Sequence, residues 1–192
     1  MKKLLLATLV AFGLTVAAPA QATDFGVWEH NTQLSKGDYS LEVRNRFNDD
    51  YFHFHLDKKV YKNFKVSYRH AQGGAKKENR IRVENKINLT DWLYVTPRVE
   101  YRIFNAKGDD HLRVRPEVGV KYNVQKVSLY ANWSPMWSFG VPGQKFTRTK
   151  TKVGFDYSVL DQVSIGPFYQ LDTDGDWNKK SQIFGSTLKI KL

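Results

Sequence analysis

The sequence contains no cysteine among its 192 residues. Disulfide bonds are therefore excluded, and an exported chain of this length must be held together by its fold alone. Beyond Ala22 the sequence also has no apolar run that approaches the roughly 20 residues of a membrane-spanning helix. Any insertion of the remaining chain into a membrane must therefore be by strands, whose backbone groups are paired with one another.

The first residues have the pattern of a secretory signal peptide. Lys2 and Lys3 precede an apolar run over residues 4–18, and Ala20 and Ala22 form a small-x-small cleavage site. We predict cleavage after Ala22, which leaves residues 23–192 as a single domain.

Acidic residues are scarce relative to basic ones. Without Lys2 and Lys3, the 30 basic residues become 28, against 19 acidic residues. This surplus of positive charge indicates anionic partners. Nucleic acid is disfavoured as that partner because the export signal removes the chain from the cytoplasm.

The stretch HLRVRPEVGVKY, residues 111–122, alternates strictly between apolar and polar or charged residues. Successive side chains of a strand point to opposite faces, so this stretch predicts a strand with one apolar and one cationic face. Twelve residues exceed a typical soluble strand and suffice to cross a bilayer at a tilt.

Similar alternation recurs from Tyr39 onward and predicts an all-β fold, an antiparallel transmembrane β-barrel of about ten strands. Twelve strands are the alternative if residues 25–34 and a further partner contribute, because residues 23–36 have an ambiguous pattern. The predicted connections near Lys62, Thr90, Gln125 and Leu160 are short, whereas those near Gly73, Lys107, Gly140 and Gly175 are longer and more polar. This layout is typical of an outer-membrane barrel with periplasmic turns and extracellular loops. With both chain ends expected on the periplasmic side, the strand count should be even.

A soluble β-sandwich or lipocalin-like barrel is the structural alternative, with apolar residues inside and charges outside. The strand lengths and the aromatic residues near predicted strand ends favour the membrane barrel. In that barrel the alternation places seventeen cations and six carboxylates on the inner face. The residues that we predict to line the interior or contact substrate are Arg44, Arg46, Lys65, Arg69, Arg80, Arg82, Arg98, Arg102, Arg113, Arg115, Lys121, Lys150, Lys152, Tyr94 and Tyr130.

Two interpretations of this interior compete. In the first, ion pairs with carboxylates such as Glu84, Glu100 and Glu117 fill a narrow, closed barrel. In the second, unpaired cations line a water-filled passage for anions. Because six carboxylates cannot neutralise seventeen cations, we favour the anion passage. Arginine forks bind carboxylates in bidentate fashion, and successive weak sites suit conduction of a carboxylated oligomer.

Four segments carry a family resemblance: SYRHAQGG from Ser67, RIRVENKI from Arg80, LRVRPEVGVKYN from Leu112 and VSLYANW from Val127. Over roughly residues 66–172 the chain resembles the oligogalacturonate-specific porin family. The resemblance implies a narrow, monomeric outer-membrane barrel that admits acidic oligosaccharides such as pectin fragments or sialylated sugars. It also implies a lining role for Arg69, Arg80, Arg82, Arg98, Arg102, Arg113 and Arg115. The chain is shorter than the family's members, and the residues before Tyr61 fit poorly.

Rival functions need features that the sequence supplies only in part. A hydrolytic site at the outer rim would use His70 or His111 beside Asp109 and Asp110, and His53 with His55 would supply two ligands of a metal site that lacks a clear third. We therefore predict no enzyme activity, no metal and no cofactor. A non-conducting structural or adhesive barrel is the principal alternative to the channel.

Overall fold

A computed structural model describes residues 26–47, 51–73, 76–105, 109–140 and 146–192. The predicted signal peptide over residues 1–22 lies outside these described residues. All regular structure within them is β-strand, as predicted. These residues contain no helix long and apolar enough to cross a membrane.

The described residues form fourteen strands. They are β1 (Val27–Lys36), β2 (Tyr39–Arg46), β3 (Tyr51–Tyr61), β4 (Phe64–Gly73), β5 (Lys76–Asn85), β6 (Ile87–Asn88), β7 (Leu93–Thr96), β8 (Arg98–Phe104), β9 (His111–Val114), β10 (Glu117–Val124), β11 (Val127–Phe139), β12 (Phe146–Leu160), β13 (Val163–Asp174) and β14 (Lys179–Lys191).

Eleven of these strands close into a barrel. The order runs from β11 through β12, β13, β14, β1, β2, β3, β4, β5, β8 and β9, and β9 pairs with β11 again. The remaining strands β6, β7 and β10 continue β5, β8 and β9 along the chain and extend the same sheet. The predicted barrel is thus confirmed, and closure leaves few unpaired edges.

Most connections alternate in length as predicted, but the connection near Gly73, which is predicted to be long, is short. At one end of the barrel, here called the short-turn end, the strands are joined by residues 37–38, 62–63, 89–92, 125–126 and 161–162. Lys62 and Gln125 have φ angles of 44° and 50° there, because tight hairpin turns need left-handed backbone. The other end, the loop end, has mostly longer connections, but β4 and β5 extend so far that only residues 74–75 separate them.

The predicted even number of strands is wrong. The first strand, β1, lies in the segment whose pattern was ambiguous, and it pairs parallel with β14 and antiparallel with β2. Parallel and antiparallel ladders both satisfy backbone hydrogen bonds, so an odd count can close. Because β1 and β14 run in the same direction, β1 begins at the loop end while β14 ends at the short-turn end, contrary to the expectation of both ends on one side.

Two prolines interrupt what the sequence predicts as continuous strands. Pro97 separates β7 from β8, and Arg115 with Pro116 separates β9 from β10. Proline has no N–H group to donate to the ladder, so pairing breaks at both positions. Ser134 on β11 contacts both residues between β9 and β10. Its hydroxyl donates to the Pro116 carbonyl at 3.0 Å and accepts from Arg115 Nε at 2.9 Å.

The two faces of the wall differ as the alternation predicts. Apolar side chains such as Leu56, Ile81 and Leu129 are exposed on the outer face. Charged side chains such as Arg80, Glu100 and Arg113 are buried inside. Apolar burial is modest by comparison, with one cluster of Val163, Leu188 and Ile190 against which Leu34 packs. The barrel therefore has an apolar outside and a charged interior, the inverse of a soluble barrel.

Candidate functional site

The charged interior is built by cross-strand rows of opposite charge. The register sets Glu84 between Lys65 and Arg98 on the neighbouring strands. It likewise sets Glu100 between Arg82 and Arg113. Opposite charges on paired strands stabilise the sheet, and here the same register brings them together inside the barrel.

Glu100 lies at the centre of one cluster and is fully buried, with 0% of its surface exposed. It accepts a hydrogen bond from Arg80 Nη1 at 3.1 Å and one from Arg113 Nε at 2.8 Å, and it also contacts Arg113 Nη2. Arg80 in turn contacts Glu78 at 2.6 Å, and Arg102 binds both oxygens of Glu78. Three arginines thus share two carboxylates, an arrangement in which every guanidinium has a charged partner.

A second cluster surrounds Asp57. Its carboxylate lies 2.9 Å from His55 Nε2, 3.1 Å from Lys65 Nζ and 3.3 Å from Arg82 Nη2. Ser67 donates a further hydrogen bond of 2.5 Å. Arg82 and Lys65 also contact Glu84, which accepts from Arg98 Nε at 2.6 Å. These charges are locked together by shared partners rather than free to move.

The wall formed by β1 and β2 carries a third cluster. Arg44 contacts Glu29 at 3.2 Å and Glu42 at 2.7 Å, and Arg46 Nε donates to Glu29 at 2.7 Å. His53 Nε2 lies 3.2 Å from Glu42. On β12, β13 and β14, Arg148 and Lys150 both lie 3.4 Å from Asp172, and Lys189 contacts Asp156 at 2.5 Å.

Several interior cations have no carboxylate within ion-pair distance among the described residues, and three of them are held by other groups. Arg69 donates to the Tyr51 hydroxyl, Arg115 donates to Ser134, and Lys152 Nζ lies 3.7 Å from the centre of the Phe168 ring. An aromatic face or a hydroxyl attracts a cation but leaves its charge in place. These three side chains therefore keep their positive charge without a carboxylate contact.

Inward aromatic rings lie against glycines on the adjacent strand. Tyr94 is paired with Gly119, where a Cβ atom would come within 2.2 Å of the ring. Tyr130 is paired with Gly154 in the same manner, and a Cβ there would lie 2.6 Å from the tyrosine hydroxyl. Each ring also carries a cation, Lys86 at 4.0 Å over Tyr94 and Lys189 at 5.8 Å over Tyr130. Glycine is required here because any side chain would displace the ring.

A cavity of about 390 Å³ opens at the short-turn end. Its walls combine neutral polar side chains with lysines and two aspartates. Residues that define it include Gln33, Lys121, Asn123, Asp156, Lys189 and Lys191. The cavity differs from the arginine clusters in two respects. Its lysines have fewer carboxylate partners than the arginines, and their side chains border open volume.

Comparisons with known proteins are sparse. No protein-family model matches the chain, and no curated protein matches it. Among solved structures, the chain is similar to a bacterial polysaccharide outer membrane secretin, with 10% identity and a TM-score of 0.45 over 77% of this chain and 62% of that one. It is also similar to OccK11 (OpdR) and OpdQ of Pseudomonas aeruginosa, at 9% and 8% identity, with TM-scores of 0.33 and 0.32. These matches cover 71% and 70% of this chain but 50% and 51% of theirs, so the chain spans half to three fifths of the solved chains it matches.

All of the predicted site residues lie on the inner side of the wall by register. Nine are ion-paired with carboxylates: Arg44, Arg46, Lys65, Arg80, Arg82, Arg98, Arg102, Arg113 and Lys150. Arg69, Arg115 and Lys152 are not, Lys121 lines the cavity, and Tyr94 and Tyr130 form ring–glycine pairs. Their roles in binding or conduction stay predictions.

The sequence interpretation missed three interior carboxylates. Glu29 lies in the segment of ambiguous pattern, Asp57 follows the predicted end of its strand, and Glu78 was assigned to a loop. Extending the alternation by one step, from His55 to Asp57 and from Arg80 back to Glu78, would have found two of them. The inner face therefore carries more negative charge than the six predicted carboxylates supply.

The histidines singled out by the sequence are bound into other contacts. His111 stacks on Phe104 with ring centres 5.6 Å apart, and its Nδ1 lies 2.8 Å from the Asp109 carbonyl oxygen. His53 and His55 contact Glu42 and Asp57. Within residues 26–47, 51–73, 76–105, 109–140 and 146–192, no group of three such side chains is placed to hold a metal ion.

Proposed function

We propose that the chain is a narrow, anion-selective outer-membrane channel whose substrates are acidic oligosaccharides. The observation that carries the proposal is that interior cations such as Arg69, Arg115 and Lys152 have no carboxylate partner among the described residues. An uncompensated cation in a confined interior is costly, and an anion that passes relieves that cost.

The distribution of charge on the wall supports insertion into a membrane. An Arg or Lys facing lipid at the bilayer midplane costs about 2 to 4 kcal/mol, so the many cations of this chain are tolerable only inside. Exposed apolar side chains such as Val83, Val99 and Phe155 cover the middle of the outer face. Closure of the barrel satisfies the strand backbones without water.

The predicted lining residues divide the path into three parts. The cavity at the short-turn end, with Lys121, offers loose sites to an entering anion. Beyond it, Tyr130 and Tyr94 present rigid rings on which a sugar can stack, each next to a lysine. The arginine clusters follow, and there a carboxylated sugar competes with Glu78, Glu84 and Glu100 for guanidinium groups.

A non-conducting structural barrel is the second candidate. The observation that favours it is the burial of the Arg80–Glu100–Arg113 cluster, which fills the interior at that level. In this case the ion pairs serve to hold the barrel together. An enzyme would instead be favoured if the chain had a hydrolytic activity that the substitution His111→Ala abolished. A channel needs no catalytic group.

Planar-bilayer conductance of the refolded mature chain tests the proposal. We expect a small anion-selective conductance that galacturonate, alginate or sialic-acid oligomers block. Arg115→Ala with Lys152→Ala should shift ion preference toward cations, because two uncompensated charges are removed. Arg113→Ala with Arg115→Ala should shift it in the same direction but also destabilise the barrel, since Glu100 loses one of its two guanidinium partners.

The matched control is Lys77→Ala with Lys180→Ala, which removes two exposed lysines at the loop end and leaves the interior intact. Its ion preference should equal that of the unmodified chain. Absence of conductance in a folded, inserted barrel would establish the structural alternative. An unchanged ion preference in the Arg115 and Lys152 double variant would contradict the assignment of these residues.

A further inference from the structure

Lys58 lies on the apolar outer face of the barrel near its short-turn end. On the neighbouring strands it pairs with Tyr39 and Val66, and along its own strand Leu56 and Val60 share its face. These four side chains are 52%, 38%, 46% and 53% exposed. The ammonium group of Lys58 is thus surrounded by apolar and aromatic surface that faces outward.

A second lysine belongs to the same row. Lys36 pairs with Tyr39 from the other side, so Lys36, Tyr39 and Lys58 follow one another across β1, β2 and β3. The Lys58 ammonium lies 5.4 Å from the centre of the Tyr39 ring. Neighbouring strands are about 4.8 Å apart, so two long lysine side chains on either side of Tyr39 can converge on one group.

This row carries two positive charges that no described carboxylate pairs with. Every other outward position around it on β2, β3 and β4 is apolar or aromatic, including Leu41, Leu56 and Phe64. A cation on such a surface either extends toward water or is neutralised by a counter-ion that tolerates apolar neighbours. The phosphate of a lipid meets that second condition, because its acyl chains cover the apolar surface while its charge meets the lysines.

We infer that the row Lys36–Tyr39–Lys58 binds the phosphate group of an anionic phospholipid. The inference rests on the proposed function only in that the outer face must meet a bilayer. The two ammonium groups contact the phosphate, the Tyr39 hydroxyl donates a hydrogen bond to it, and the acyl chains lie along Leu56 and Val66. A free phosphate ion would gain the charge contacts but would leave the surrounding apolar surface uncovered.

Native mass spectrometry of the full mature chain, refolded in zwitterionic detergent and titrated with phosphatidylglycerol, tests this site. Each lysine near an anionic lipid surface contributes about 1 kcal/mol, so Lys58→Gln should weaken retention about fivefold and Lys36→Gln with Lys58→Gln about thirtyfold. Lys58→Arg should retain the lipid. The matched control is Lys59→Gln, which removes the same charge one residue later, on the inner face. This variant should retain phosphatidylglycerol as the unmodified chain does.

The inference would be overturned if the double variant retained phosphatidylglycerol as well as the unmodified chain does. It would also be overturned if the unmodified chain retained phosphatidylcholine equally well, or if Lys59→Gln lost as much phosphatidylglycerol as Lys58→Gln. Displacement of the lipid by millimolar inorganic phosphate would also overturn it, since the site would then bind free phosphate. Conductance is recorded on the same samples. Conductance without site-specific lipid retention refutes this inference alone, whereas lipid retention without conductance refutes the channel alone.

Discussion

Single carboxylates hold the interior together, and Glu100 is the clearest case. It is completely buried and contacts two guanidinium groups, those of Arg80 and Arg113. Glu117, by contrast, is partly exposed and lies 3.8 Å from its one cationic partner, Arg98. The same residue type thus has very different energetic weight at two positions of the same wall.

Replacing Glu100 with Gln should destabilise the barrel strongly. Removal of one partner from a buried ion pair leaves an uncompensated charge and costs about 3 to 5 kcal/mol. Urea unfolding of the refolded chain, followed by tryptophan fluorescence, measures this loss. Glu117→Gln is the control and should change the free energy of unfolding by less than about 1 kcal/mol. Equal effects of the two substitutions would contradict the central place of Glu100.

Much of the residue scale could be predicted from alternation. The inner placement of Arg80, Arg82, Arg113 and Arg115 follows from period-two patterning alone. The cross-strand partners do not follow from it, because Glu100 on β8 meets Arg80 on β5 only through the register of these two strands. Alternation fixes a face, whereas register fixes which charges are neighbours.

At the scale of elements, the seam between β1 and β14 is the feature that sequence patterning missed. Outward positions of β1 include His30 and Thr32, which break the apolar alternation. Their polar groups bond locally, since His30 Nδ1 lies 2.8 Å from Ser186 Oγ and Nε2 lies 3.2 Å from Thr32 Oγ1. The strand is therefore defined by its backbone pairing with β2 and β14 rather than by a pattern visible in one segment.

Engineered disulfides test the register of the seam, and the sequence has no native cysteine that would compete for crosslinking. Thr32→Cys with Leu188→Cys should crosslink on oxidation, because the two positions are partners in the parallel register. Thr32→Cys with Phe184→Cys should not, since Phe184 is displaced by four residues, about 13 Å along the strand. Gel mobility under non-reducing conditions distinguishes them, and crosslinking of the second pair alone would contradict this register.

Proline positions explain the other departures at this scale. The segment from His111 to Tyr122 is extended, but Pro116 divides it into β9 and β10. Pro97 likewise divides the neighbouring segment into β7 and β8. The alternation of side chains continues through both breaks, which is why periodicity did not reveal them. The missing N–H groups decide where the ladder stops.

At the scale of the whole molecule, the interior separates into interlocked arginines and a more open lysine-lined cavity. The arginines share carboxylates, as Arg80 and Arg102 share Glu78. At the short-turn end, Lys121 and Lys191 line the cavity instead. Planar guanidinium forks suit fixed pairs, and flexible ammonium groups suit loose contacts with passing anions.

Anion preference of the proposed channel should depend on salt. The screening length falls from about 10 Å at 0.1 M to about 3 Å at 1 M ionic strength, so the field of Lys121, Lys152 and Arg115 reaches less of the path. We expect the anion-to-cation permeability ratio to decrease toward 1 over this range, measured from reversal potentials. The Arg115→Ala and Lys152→Ala double variant should show a weaker dependence. A ratio independent of salt in the unmodified chain would speak against electrostatic selection.

The sequence by itself determined the all-β class, the barrel, the apolar outer face and the charged inner face, because side-chain period and charge are local properties of a strand. It also predicted the alternation of short turns and longer connections. Only the tertiary structure decided the strand count, the parallel seam and the pairing of most cations, because these depend on register between strands distant in the chain. Arg115 shows the division: its face is visible in the sequence, but its hydroxyl partner Ser134 is supplied by another strand beside a proline gap.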